Sequence, residues 1–186
     1  MRDLDIKRNT HFGTLDIAFI AIFSALYVAV NLILGPLSFQ LLGLPILHDI
    51  GIFSTLLLVA WITERLGTSI AVASIGSAIA ILFGAPPLII GFAASAIPFD
   101  ILLVANHHKI RNSIKGLFVP AAATILSAYV AGVIIGVLFM SNGLRWAFSI
   151  WGGWHMAGGV LTITIILPII VALEKANVRK LVHKAT

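Results

Sequence analysis

Polar positions in this chain form short islands between long apolar runs. Leu66 to Phe99 carries no charged residue across 34 positions, and Leu117 to Leu144 carries none across 28. Roughly 18 such residues are enough to propose a membrane-spanning helix. The longer run would extend ~51 Å as one helix, well beyond a ~30 Å hydrocarbon core, so it must fold back. Gly84-Ala85-Pro86-Pro87 supplies the break, because prolines lack the backbone donor a helix needs. The pattern predicts six spans: Leu15–Leu34, Ile50–Thr63, Thr68–Phe83, Leu88–Ala105, Gly116–Met140 and Ala147–Leu173. The expected fold is an all-α integral membrane protein, one bundle over 15–173, with a polar segment at 1–14 and a basic tail at 174–186. The first apolar run is too long for a cleaved secretory signal and reads as a retained helix.

Composition sharpens this picture. Only 10% of the 186 residues are charged and 60% are hydrophobic, against roughly 25% charged in soluble domains. The net charge of +5 could point to nucleic acid, but such binders carry basic patches on a polar surface, and none is expected here. The basic residues instead report orientation. With both termini cytoplasmic, Arg2, Lys7, Arg8, Arg65, Lys109, Arg111, Lys115, Lys175, Arg179, Lys180 and Lys184 all lie inside, which is eleven of the twelve, and only Arg145 lies outside. The tail can also touch anionic lipid, at about 1 kcal/mol per nearby Lys or Arg.

The sequence offers little familiar catalytic chemistry. It has no cysteine, no P-loop, no H-E-x-x-H and no G-x-S-x-G, so an enzyme is not expected. His107-His108 sits among Lys109, Arg111 and Lys115 and reads as a solvated loop rather than a metal site. Polar groups at membrane depth are the stronger pointers. Asn31 lies near the outer end of the first span. The uncharged stretch Gly35 to Pro45, with Gln40 inside it, reads as an apolar lid. His48-Asp49 opens the next helix, where Asp49 is either a helix-start carboxylate or a site residue. In the sixth span Trp151, Trp154 and His155 fall within about 100° of one another, beside four glycines. Rings that stack, an imidazole that hydrogen-bonds and glycines that leave room suit a flat heterocycle; an interfacial aromatic belt is the rival account. Asp100 can pair with a basic loop residue, couple the bundle to a partner or relay protons. Ala21, Ala25 and Ala29 form a smooth stripe for internal packing or for a docking helix. A neutral or weakly charged ligand fits better than a dianion, although Arg145 could hold a carboxylate or phosphate.

The chain resembles the substrate-specific S components of energy-coupling factor (ECF) transporters, the vitamin importers of prokaryotes. The resemblance rests on the length, the six expected spans, the apolar first loop and the A-x-x-x-A motif Ala21-Ile22-Phe23-Ser24-Ala25, extended by Ala29. Gly152 to Gly159, Pro168 and Glu174-Lys175 also resemble the family's sixth helix, whereas Glu64-Arg65-Leu66-Gly67-Thr68 keeps only the glycine of its usual turn. The resemblance implies a plasma-membrane subunit that binds a vitamin-like molecule from outside, beneath the first loop. It implies docking of the alanine stripe on a T component that works with two ATPases, with ATP used by those partners and no cofactor bound directly. A chain without the Met-His start of the nickel and cobalt subgroup is not expected to carry metal. The alternative is a self-contained secondary transporter or channel using Asp49, Asp100 and His155 as an ion path.

Overall fold

The computed structural model describes residues 12–111 and 113–184. Residues 1–11, with Arg2, Lys7 and Arg8 of the orientation count, lie outside the described residues, as do the side chains of Lys115 and Lys184. The described residues form α1 (Thr14–Leu42), α2 (Ile46–Thr63), α3 (Thr68–Leu82), α4 (Ile90–Leu103), α5 (Ile114–Phe139), α6 (Leu144–Lys175) and a short α7 (Val178–Lys184), with no strand among them. Five helical segments are long and apolar enough to cross a membrane, and this is an all-helical membrane protein. The apolar α3 has 15 residues, which reach ~22 Å, less than a ~30 Å hydrocarbon core.

Local chemistry sets the boundaries. Asp16 accepts a hydrogen bond from the Gly13 amide (2.9 Å) at the start of α1, and Ser113 accepts from Gly116 (3.0 Å) at the start of α5. The expected break between the third and fourth spans stands where Gly84, at φ +92°, meets Pro86 and Pro87, and a 3₁₀ turn then leads into α4. The expected lid does not form a loop. Gly35 to Leu42 continues α1, with Pro36 inside the helix, and only Gly43 to Pro45 turns the chain. Proline removes one backbone bond, whereas unwinding an apolar segment would expose many, so continuing the helix is favoured. Ser38 completes the corner: its hydroxyl donates to the Leu44 carbonyl (2.5 Å) and accepts from the Leu47 amide (3.0 Å).

Helices α1 to α6 close into a ring in the order α1, α2, α6, α5, α4, α3 and back to α1. Within it α2 leans inward, with 67% of its most apolar window inside the protein against 28% for α6. Phe53 of α2 packs against Phe92 and Phe99 of α4, with ring centres 6.2 and 6.5 Å away. In a bilayer such contacts stabilise through close packing rather than through exclusion of water.

The two ends of the bundle differ in charge. One end carries a mesh of ion pairs. Arg65 meets Asp16 (3.1 Å); Arg111 meets Glu64 (3.3 Å) and Glu174 (3.2 Å); Arg179 of α7 reaches Glu174 (2.8 Å) and Glu64. Trp61 also donates to Glu174 (3.0 Å). The basic tail is thus partly docked, with Val178 and Val182 packed on the core. At the opposite end, formed by the α1–α2, α3–α4 and α5–α6 turns, Asp49 and Arg145 are the only charged residues among those described.

Candidate functional site

A polar and aromatic cluster is buried near that charge-poor end, where α1, α2, α4 and α6 meet. It begins in α1. The Asn31 amide donates to the Tyr27 carbonyl (2.8 Å), which leaves its oxygen as the acceptor for His48 Nε2–H (3.0 Å). Tyr27 itself is fully buried, and its hydroxyl accepts from Ser77 of α3 (3.2 Å). His48 and Asp49 lie in the first turn of α2, where the helix dipole favours the carboxylate. The side chains of His48 and Asp49 leave α2 toward different partners. His48 turns to α1, while Asp49 receives His155 Nδ1–H of α6 at 2.7 Å.

The sequence of α6 explains how the last contact forms. Trp151, His155, Gly158 and Thr162 recur at spacings of four, three and four, which puts them on one face, and all four are buried. The Asp49 carboxylate lies over Gly158 so closely that an added Cβ would strike Oδ2 and come within 2.6 Å of the Asp49 Cβ. Gly132 of α5 gives His155 the same clearance, since a Cβ there would come within 2.6 Å of the imidazole. Thr162 donates to the Gly158 carbonyl (2.8 Å) and approaches the Asp49 carbonyl (3.4 Å).

Aromatic rings enclose these groups. Phe92 stands edge-on between His48 (4.7 Å) and His155 (5.5 Å), and Trp151 meets His155 edge-on at 5.5 Å. The Trp151 indole stacks with Phe39 (6.2 Å, 17°) and with Trp146 (5.3 Å, 18°). Three buried polar atoms in this cluster have no hydrogen-bond partner among the described residues: Asp49 Oδ2, His155 Nε2 and Trp151 Nε1. Unsatisfied groups at such depth are expensive, and these three lie along one connected chain of contacts.

Of the residues expected at the site, the structure brings together Asn31, His48, Asp49, Trp151 and His155. It leaves two outside. Gln40 is exposed near the end of α1, and Trp154 is 41% exposed on another face of α6. Phe39, Phe92, Tyr27 and Gly132 join the cluster without having been singled out from the sequence. Ala21, Ala25 and Ala29 are exposed rather than packed inside. Ala21 and Ala25 line an open apolar groove of about 520 Å³ between α1 and α3, together with Ile17, Ile75, Ile79 and Phe83.

Asp100 lies elsewhere, toward the ion-paired end. Its Oδ2 accepts from the Gly67 amide (2.9 Å) and the Ile70 amide (3.3 Å), so a carboxylate from α4 caps the first turn of α3. His108 is 1% exposed with Nδ1 3.9 Å from Asp100, so it is buried rather than solvated, whereas His107 is exposed as expected. Its turn folds back because the His108 amide bonds the Leu103 carbonyl (2.9 Å). No group of three or more His, Cys, Asp or Glu suited to a metal occurs among the described residues. No family model, curated protein or solved structure matches the chain.

Proposed function

We propose that this chain is the substrate-binding S component of an ECF-type importer, with six crossings and both termini in the cytoplasm of a prokaryotic cell. It captures a vitamin or related small heterocyclic nutrient from outside. A T component and two ATPases then deliver that nutrient, using ATP that this chain does not bind. The observation that carries the reading is the separation of two surfaces. One is a buried cluster near the charge-poor end with three polar atoms unpartnered among the described residues; the other is an open apolar groove, lined in part by Ala21 and Ala25, on the flank of α1.

In this reading the charge-poor end faces outward, which agrees with the positive-inside rule, and the ion-paired end faces the cytoplasm. Phe39 closes the site by stacking on Trp151, and the turns of α1 after Pro36 are the part that moves to admit a ligand. Native mass spectrometry of the chain purified in mild detergent tests the pocket. A co-purified small molecule is expected with the wild type and absent from His155→Ala and Trp151→Ala; retention by both variants would remove the pocket. Uptake into liposomes by this chain alone, driven by a proton or sodium gradient, would establish a self-contained carrier instead.

A further inference from the structure

We infer that the buried cluster takes a small, flat, cationic nitrogen compound and rejects anions, an assignment of substrate class that rests on reading the cluster as the binding pocket. The argument begins with the charges that face it. From α1 come Tyr27 and Asn31, from α2 His48 and Asp49, from α4 Phe92, from α5 Gly132, and from α6 Trp151 and His155. No lysine or arginine is among them. Arg145, the only Lys or Arg at this end of the bundle among the described residues, is exposed at the start of α6.

With Asp49 ionised and His48 neutral, the cluster therefore offers no net positive charge. With a neutral imidazole it carries the single negative charge of Asp49; with an imidazolium the pair sums to zero. An anion would lose its hydration and find no countercharge. A cation with N–H donors meets the opposite situation. Asp49 Oδ2 is fully buried and lacks a donor, although Oδ1 already holds His155. A ligand N–H directed at Oδ2 would supply the missing bond, and its charge would strengthen it. Flatness follows from the stack of Phe39, Trp151 and Trp146, whose rings lie within 18° of parallel. A ring that replaced Phe39 would stack on the same indole, whose Nε1–H has no partner among the described residues.

The test uses three flat probes of one shape and different charge: benzamidine, benzamide and benzoate. Thermal unfolding of the full chain in mild detergent is measured with each at equal concentration. Benzamidine is expected to raise the Tm, benzamide to bind about tenfold more weakly, and benzoate to give no shift. In Asp49→Asn, which keeps the side-chain shape, benzamidine and benzamide should become equivalent. Benzoate binding as well as benzamidine would overturn the assignment, as would a cation preference that survives Asp49→Asn. If that binding is lost in Trp151→Ala, the pocket stands and only the charge class falls. Silence from all three probes overturns both. The wild-type ranking decides the charge class even if Asp49→Asn does not fold.

Discussion

Gly158→Ala should be among the most damaging single-methyl additions to this protein. The added Cβ would overlap Asp49 Oδ2 and lie 2.6 Å from the Asp49 Cβ and 2.8 Å from Cγ. These atoms cannot swing aside, since Asp49 is fully buried and its other oxygen is bonded to His155 at 2.7 Å. Overpacking of this kind costs about 1–3 kcal/mol. If the carboxylate yields instead, it loses a charge-assisted bond of about 1.5–3 kcal/mol. Some of each gives an expected loss of about 2–5 kcal/mol. The control lies in the same helix: a Cβ on Gly153 meets nothing within 4 Å, so Gly153→Ala should gain about 0.5–1 kcal/mol of helix stability. Equilibrium unfolding in mixed micelles, followed by far-UV circular dichroism, compares the two variants directly. Wild-type stability in Gly158→Ala, or the same sign for both substitutions, would refute the packing argument.

Other substitutions test separate contacts. Asp100→Ala should leave the Gly67 and Ile70 amides without their acceptor, at about 1–3 kcal/mol, and should speed hydrogen exchange in the first turn of α3; Asp100→Asn, which keeps one acceptor, should do so less. Asn31→Leu should strand the His48 Nε2–H in the core, and a similar loss is expected in the same unfolding assay. Ala25→Leu, on an exposed face, should change unfolding by less than about 0.5 kcal/mol. On the proposed function the same variant should fail to assemble with its transport partners in a co-purification experiment.

The apolar runs made the helices legible, and scarcity of charge made the depth-placed polar residues stand out. Asn31, His48, Asp49, Trp151 and His155 were all visible as polar or aromatic exceptions in apolar surroundings. What the sequence could not convey was pairing. That Asn31 meets His48 while Asp49 meets His155 depends on α2 lying between α1 and α6, a tertiary fact with no local spacing. Phe92 and Phe39 were hidden because an apolar ring in an apolar helix carries no signal. Trp154 was a different matter. The series Trp151, His155, Gly158, Thr162 has helical spacing that excludes Trp154, so the face could have been drawn correctly. Gly35-Pro36 misled for a physical reason: in water that pair ends helices, whereas in an apolar setting the cost of an open backbone carries α1 on to Leu42. Asp100 accepts from the Gly67 and Ile70 amides, because α4 passes beside the start of α3, and the loop histidine His108 lies 3.9 Å from its other oxygen.

The start of α6 contains a π turn over Ala147–Trp151, and Trp146 lies on Trp151 because that wider turn brings residues five apart into vertical alignment. In a regular α-helix the same two side chains would diverge by about 140°. The extra residue works as a mechanical offset between two halves of one rod. Below it, His155, Gly158 and Thr162 keep their register against α2; above it, the rim is rotated independently. Removing one residue between Ala147 and Ile150 would turn everything before it by about 100° while leaving the Asp49 contact untouched. On the proposed function, the rim and the floor of the pocket can therefore vary separately, and a change in what the rim admits need not disturb what the floor holds.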